Sequence, residues 1–199
     1  MFYKIIVAII KFFLFFIFRV EVKGRENVPT EGSAMMAVNH RSNWDPVIVA
    51  VTSPRKLRFM AKSELFKNKL IGKLLTSFGA FPIQRGKGDV GAIKGALTLL
   101  KNGELMLIFP EGTRVKEGEN VEAKPGTVML AIRSHVPVIP TYISGKYRWF
   151  SKITITFGEP IYYDEYYDTK PVVEELQRIT NELMKTMRSY KVPDKKRKD

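Results

Sequence analysis

The chain has 199 residues, 45% of them hydrophobic, which favours a single domain with a sizeable core. The absence of cysteine excludes disulfide frameworks, zinc–thiolate sites and thiol nucleophiles, and two histidines are too few for a multi-histidine metal site. The formal net charge of +13 indicates an anionic partner, and because zinc-finger spacing and RNP-like motifs are missing, a bilayer or a phosphorylated substrate is expected ahead of nucleic acid.

Residues 2–18 form a nearly continuous apolar stretch that is rich in phenylalanine. A membrane-spanning helix needs about 20 predominantly apolar residues, whereas this stretch is shorter and carries Lys11 near its middle. On a helix Lys11 shares a face with Lys4, and Arg19 falls close to that face. The pattern favours an amphipathic helix over residues 1–20 that lies in the membrane interface as an uncleaved anchor. A signal peptide is the alternative, but Lys11 interrupts its apolar core and no small-residue cleavage site follows.

Behind the anchor, apolar runs typical of buried strands alternate with segments of helical spacing. The predicted strands cover residues 33–38, 57–60, 80–83, 105–109, 138–143 and 152–157. The predicted helices cover residues 44–52, 65–78, 90–100, 127–133 and 172–188, with a polar loop at 110–126. This alternation predicts an α/β domain over residues 21–190, with a mixed, largely parallel sheet surrounded by helices. Residues 191–199 are charged and are predicted to form a basic disordered tail.

Two of the predicted helices carry further signals. Asn43 is predicted to cap the first helix of the domain, with Pro46 in its first turn. The helix at 65–78 is amphipathic, with Lys69 and Lys73 on one face. This second pattern is typical either of a further bilayer contact or of a helix packed on the domain, and both interpretations stay open.

Polar clusters follow three of the predicted strands at the point where each strand ends. His40 follows the first strand of the domain, Arg85 follows the strand at 80–83, and the run from Glu111 to Arg114 follows the strand at 105–109. The carboxyl ends of parallel strands meet at one edge of a sheet, where α/β proteins bind their ligands. The sequence therefore predicts a site at this edge that combines all three clusters.

His40 and Asp45 are five residues apart, a spacing that does not bring two side chains together on a regular helix. They meet only if His40 lies on the turn and Asp45 lies in the first helical turn. The carboxylate would then fix the imidazole tautomer and leave the other ring nitrogen free as a general base. The alternative is an aspartate that complements the helix dipole beside a solvent-exposed histidine.

The third cluster has the composition of an anion site. Gly112 permits close approach of a ligand, and Arg114 offers a bidentate fork for phosphate. Arg85 is a second such fork, and Lys62, after the strand at 57–60, adds a third charge; the alternative for each is a solvated surface charge. Because no Gly-x-Ser-x-Gly elbow or Walker loop is present, the predicted chemistry is direct attack by a substrate hydroxyl on an activated acyl group.

Four segments together resemble the conserved blocks of the glycerolipid acyltransferase family, in particular its PlsC-type 1-acyl-sn-glycerol-3-phosphate acyltransferases. They are NHRSNWD at 39–45, which is similar to the His-x4-Asp block, GAFPIQR at 79–85, FPEGTR at 109–114 and VPVIP at 136–140. AKSELF at 61–66 is similar to the family's segment between the first two blocks. The resemblance covers residues 22–157, and the one departure is Val115, where many members have serine.

The resemblance implies a reaction and a role for each site residue. His40 would remove the proton from the sn-2 hydroxyl of lysophosphatidic acid while Asp45 orients it, and the hydroxyl would attack an acyl thioester of coenzyme A or acyl carrier protein to give phosphatidic acid. The fourth block is expected to be a structural strand, and neither a metal nor a cofactor is implied. The residues implied to bind the substrates are Lys62, Arg85, Glu111, Gly112, Thr113 and Arg114.

The expected partners are lysophosphatidic acid, the anionic surface of a bilayer and the thioester donor, with no nucleic acid and a monomeric chain. The expected location is peripheral, monotopic, on the cytoplasmic face of a bacterial inner membrane. Three alternatives remain: the same chemistry on glycerol 3-phosphate or another lysophospholipid, a thioesterase that activates water, and a non-enzymatic binder of anionic membranes.

Overall fold

The computed structural model describes residues 2–83, 90–116, 118–119 and 121–193. The strands of this part of the chain are β1 (Arg19–Lys23), β2 (Ala34–Val38), β3 (Leu57–Lys62), β4 (Ala80–Ile83), β5 (Leu105–Ile108), β6 (Val138–Ser144) and β7 (Lys152–Phe157). Its α-helices are α1 (Phe2–Ile17), α2 (Asp45–Thr52), α3 (Lys69–Ser77), α4 (Val90–Lys101), α5 (Gly126–Ser134) and α6 (Val173–Ser189).

The seven strands form one sheet in the order β1-β7-β6-β2-β5-β3-β4. All neighbouring pairs are parallel except β6 and β7, which are antiparallel. Strand β2 lies at the centre and all five of its residues are buried, because helices cover both faces of the sheet. The predicted α/β domain with a mixed, largely parallel sheet is therefore confirmed.

Side chains of the central strands alternate between two separate cores. Met36 and Val38 belong to a core that also contains residues of α1 and α2, together with Phe78 at the end of α3. Met35 and Ala37 belong to a second core, formed with α4, α5 and α6. The two sides of the sheet are called here the α1 face and the α6 face.

Helix α1 packs on the domain through one side of its second half, as far as its described side chains show. Leu14 and, just past the helix, Phe18 are buried, whereas Phe12, Phe13 and Phe16 are exposed. The helix ends earlier than the predicted limit of residue 20, because the alternating residues that follow form edge strand β1 beside β7. Among the described residues, no helix combines the length and the apolar character needed to cross a bilayer.

Two local predictions differ from the structure. The predicted cap at Asn43 is wrong: Trp44 occupies the N-cap position of α2, and no side chain caps this helix. The segment at 65–78 divides at Asn68, whose side chain accepts hydrogen bonds from Leu70 and Ile71 and so starts α3 there.

The start of the predicted tail contacts the domain. The backbone N–H of Val192 donates to the hydroxyl of Ser144 at 2.9 Å, which holds this segment at the carboxyl end of β6. Residues 194–199 lie outside the described residues.

Candidate active site

The turn between β2 and α2 is organised around the carboxylate of Asp45, whose side chain is fully buried. One oxygen, Oδ2, accepts hydrogen bonds from the backbone N–H groups of Arg41 and Ser42, both at 2.6 Å. The same oxygen lies 2.9 Å from Nδ1 of His40. The carboxylate of Asp45, the first residue of the helix, thus reaches back over the preceding turn. This is how side chains five residues apart, His40 and Asp45, come together.

The contact with Asp45 determines which nitrogen of His40 is available. Because an ionised carboxylate only accepts hydrogen bonds, Nδ1 of His40 carries the proton and Nε2 carries the free lone pair. The ring stacks on Phe109, directly after β5, with centroids 3.9 Å apart. The side chain keeps 18% of its surface exposed. In this arrangement Nε2 is the ring nitrogen that can accept a proton.

Tyr147 makes a further hydrogen bond to Asp45. No pattern in the sequence predicted this contact. The hydroxyl of Tyr147 donates to Oδ1 of Asp45 at 2.6 Å across a separation of 102 residues. Its ring packs edge-on against Phe18, just beyond α1, with centroids 5.8 Å apart. Burial and, next, the negative charge of Asp45 raise the pKa of the Tyr147 phenol far above its usual value, so the hydroxyl stays protonated and donates.

We expect Tyr147→Phe to lower kcat about tenfold while the KM values of both substrates stay unchanged, because a hydrogen bond to a charged group typically contributes about 1.5–3 kcal/mol. The variant keeps the ring that packs on Phe18 and removes only the donor to Asp45. Steady-state kinetics measure the change, with buried Tyr163→Phe on the α6 face as the matched control. An unchanged kcat would reduce Tyr147 to a packing residue.

Hydrogen bonds from neighbouring strands hold the turn in place. The buried amide of Asn39 exchanges two hydrogen bonds with the backbone of Ile143 on β6, at 2.7 and 3.2 Å. On the other side, the N–H of Val115 donates to the carbonyl of His40 at 2.8 Å. The loop after β5 and strand β6 therefore fix the backbone that presents the imidazole.

Glu111 lies beside this turn with an unusual environment for a carboxyl group. It is 8% exposed, and its Oε2 has no hydrogen-bond partner among the described residues. Burial raises the pKa of the Glu111 carboxyl, an effect only partly opposed by the N–H groups of Glu111 and His40. The next residue, Gly112, has a φ of 64°, so the chain turns there in the left-handed region that favours glycine.

The raised pKa of Glu111 predicts a pH-dependent stability difference. The folded carboxyl binds its proton more tightly than an ordinary glutamate with a pKa of 4.5, so the wild type loses stability as the pH rises through that value towards the raised pKa. Glu111→Gln removes this loss. We therefore expect its melting temperature, relative to the wild type, to increase between about pH 4 and pH 7. Thermal unfolding at several pH values tests this, with exposed Glu122→Gln as control; a difference independent of pH would contradict it.

The structure brings some of the predicted site residues to the same edge of the sheet. His40, Lys62 and the segment from Glu111 follow or end the parallel strands β2, β3 and β5, as predicted. Lys62 and Arg114 are exposed at this edge. Gly112 and Thr113 are exposed in the same loop. Arg85 lies outside the described residues, which stop at Ile83, the register partner of Lys62 on β4.

A cavity of about 540 Å³ adjoins the imidazole, and nothing in the sequence had placed the last predicted helix, at 172–188, beside it. His40 and Glu111 line it on one side and the end of β6 on another. The remaining wall comes from α6 and the segment after it, through Met184, Met187, Arg188 and residues 191–193. The predicted substrate residues Lys62 and Arg114 are not among the residues that line it.

Comparison with known proteins relates this chain to one enzyme family. The acyltransferase family model matches residues 19–144. The 1-acyl-sn-glycerol-3-phosphate acyltransferase of Bacillus subtilis is 35% identical over 171 residues, covering 82% of this chain and 84% of the relative. That of Streptococcus pneumoniae is 34% identical over 134 residues, covering 64% of this chain and 49% of the relative. The crystal structure of the 1-acyl-sn-glycerophosphate acyltransferase PlsC from Thermotoga maritima has a TM-score of 0.73 and 25% identity, covering 98% of this chain and 81% of that one.

Proposed function

Because this chain belongs to the acyltransferase family, and is therefore an acyltransferase, we propose that it acylates the sn-2 hydroxyl of lysophosphatidic acid in phospholipid synthesis. The donor is a thioester of coenzyme A or acyl carrier protein, and the product is phosphatidic acid. The observation that carries this proposal is the His40–Asp45 contact of 2.9 Å at the strand-end edge, together with the names of the relatives.

The reaction follows from the protonation states at the turn. Nε2 of His40 takes the proton of the acceptor hydroxyl as its oxygen attacks the thioester carbonyl, and Asp45 balances the charge of the imidazolium that forms. The attack forms the new C–O bond, and collapse of the tetrahedral intermediate then restores the carbonyl and breaks the C–S bond. The proton then passes from His40 to the departing sulfur, so the thiol leaves and the base is restored without a resident cofactor.

The acceptor phosphate is proposed to bind the basic residues beyond β3, β4 and β5. Lys62 and Arg114 are exposed at the edge next to the turn. Arg85 is proposed to join them. Glu111, Gly112 and Thr113 would shape the acceptor site around the glycerol. Guanidinium groups match phosphate oxygens in a bidentate geometry, which makes arginine suited to this role.

Helix α1 is proposed to hold the enzyme on the cytoplasmic surface of a bacterial inner membrane. Its exposed phenylalanines, among them Phe12 and Phe16, form an apolar surface that the domain does not cover. On α3, Leu70 is 79% exposed, which supports the bilayer-contact interpretation of this helix. A protein lying in the interface would reach both the lysolipid acceptor and the lipid product.

A donor–acceptor assay tests the proposed function. The purified protein is incubated with lysophosphatidic acid and either acyl-CoA or acyl carrier protein thioester, while free thiol and phosphatidic acid are both measured. We expect equal amounts of the two products and no thiol release without the lysolipid. Thiol release without an acceptor would identify a thioesterase, transfer to glycerol 3-phosphate would change the acceptor, and no turnover with either donor would favour a membrane-binding protein.

A further inference from the structure

The cavity beside His40 lies on the α6 face of the sheet, away from α1. Its walls include Met184 and Met187, which belong to the core beneath α4, α5 and α6. Leu14 and Phe18, through which α1 packs on the domain, belong to the core on the other side of the sheet, the α1 face. The base His40 stands at the edge where the two faces meet. The cavity reaches it from the α6 side, through a lining of mixed apolar, polar and charged residues.

We propose that this cavity on the α6 face binds the phosphorylated pantetheine arm of the thioester donor, with Arg188 and Lys191 as its phosphate-recognising residues. The inference rests on the proposed function and assigns the two substrates to opposite sides of His40. The lysolipid approaches from the side of α1, and the water-soluble donor approaches from the side of α6.

The charge of the cavity suits an anionic ligand. Two carboxylates line it, those of Glu111 and Glu119. Four basic side chains also line it: Arg41, Lys116, Arg188 and Lys191. The positive charge of Arg188 reaches as far as Glu111, where it acts to lower the pKa of that carboxyl. A phosphodiester at the α6 end of the cavity would meet this excess of positive charge.

The size and position of the cavity suit an elongated thioester arm. Its volume of about 540 Å³ is within the range typical of small-molecule sites. The wall next to the turn contains His40, so an arm anchored by its phosphate at Arg188 would extend towards the base. The segment after α6 is held at this wall by the hydrogen bond from Val192 to Ser144.

The lysolipid acceptor fits this cavity less well. Its predicted phosphate ligands, Lys62 and Arg114, follow β3 and β5, whereas the cavity extends to the end of β6 on the other side of β2. The exposed apolar surface through which a lipid would arrive belongs to α1 on the opposite face. A ligand in the α6-face cavity and another at Lys62 would lie on opposite sides of strand β2, which His40 follows.

The double variant Arg188→Glu with Lys191→Glu tests the assignment. The matched control is Lys170→Glu with Lys185→Glu, which makes the same change in net charge at exposed positions outside the cavity. We expect the KM for the thioester to rise at least about tenfold in the test variant, since charged hydrogen bonds are lost, and the KM for lysophosphatidic acid to stay unchanged. Arg114→Ala is expected to do the opposite, raising the KM for the acceptor alone.

Calorimetric binding of coenzyme A gives a readout that does not depend on turnover. Weaker binding in the test variant but not in the control would support the donor site, even if the wild type did not acylate lysophosphatidic acid. The donor site and the acceptor assignment can therefore fail independently of each other. If the charge reversal prevents folding, Arg188→Gln with Lys191→Gln replaces it.

The two donors distinguish the sources of the phosphate. A rise in KM with both acyl-CoA and acyl carrier protein thioester assigns Arg188 and Lys191 to the shared pantetheine phosphate, whereas a rise with acyl-CoA alone assigns them to its nucleotide phosphates; either result supports the donor site. A rise in the KM for lysophosphatidic acid instead, or KM values and coenzyme A affinity equal to those of the control, would overturn the proposal.

Discussion

Replacing the base in His40→Ala is expected to lower the rate of acyl transfer by about 10²–10⁴-fold, the usual contribution of a positioned general base. The substituted side chain cannot take the proton of the attacking hydroxyl. Initial rates of phosphatidic acid formation at saturating concentrations of both substrates measure the loss. The KM values are expected to change little, because the imidazole does not carry the phosphate contacts.

The chain contains its own control for this experiment. The only other histidine, His135, ends helix α5, where its ring stacks on Tyr167 with centroids 4.7 Å apart. His135→Ala is expected to keep the wild-type rate, because this ring belongs to the α5 end and does not line the cavity. Full activity in His40→Ala would rule out the mechanism proposed here.

Asp45→Asn is expected to cause the second large loss, also about 10²–10⁴-fold in kcat. The amide has no negative charge to balance the imidazolium that forms on His40 during the reaction. It also retains only one acceptor oxygen. If that oxygen keeps the contacts of Oδ2, then the amide nitrogen faces the hydroxyl of Tyr147 and reverses that hydrogen bond.

The role of Asp45 in folding has to be separated from its role in catalysis. The carboxylate also accepts two backbone N–H groups of the turn, so its replacement is expected to destabilise the domain as well. Thermal unfolding of Asp45→Asn, beside exposed Asp164→Asn, gives the stability change, and rates are measured well below the lower melting temperature. A folded Asn variant with wild-type kcat would show that the carboxylate only holds the turn.

The expected order of effects distinguishes the two sides of the carboxylate. Oδ2 of Asp45 contacts the imidazole of His40 directly. Oδ1 accepts the hydrogen bond from Tyr147, which acts on His40 only by holding Asp45 in position. The loss in Tyr147→Phe should therefore be smaller than the loss in Asp45→Asn. Because Tyr147 packs on Phe18, it also connects the end of α1 to the turn between β2 and α2.

Much of the fold was predictable because its signals are local. Buried apolar runs identified β2 and β5, and helical spacing identified α4 and α6, with limits that agree to within one or two residues. Strand β1 was missed because it directly follows the apolar helix and its short alternating segment lies at the edge of the sheet. The cap predicted at Asn43 was wrong because the carboxylate of Asp45 organises the turn instead.

The sequence by itself determined the strand-end edge, and it offered the pairing of His40 with Asp45 as one of two alternatives, between which the 2.9 Å contact decides. Both depend on short-range rules: parallel strands bring their carboxyl ends to one edge, and a turn before a helix lets a histidine meet the first helical residue. These rules apply wherever the alternation of strands and helices is clear, so no long-range contact had to be known.

Only the tertiary structure decided what surrounds that pair. Tyr147 reaches Asp45 across 102 residues because the connection between β6 and β7 packs against the end of α1, and no periodicity records such a contact. The α6 wall of the cavity has the same origin, since Arg188 meets the site only after α6 folds against β6. Side chains that are distant in sequence meet through packing of whole elements, and that packing is set by the shapes of two complete cores and not by any local pattern.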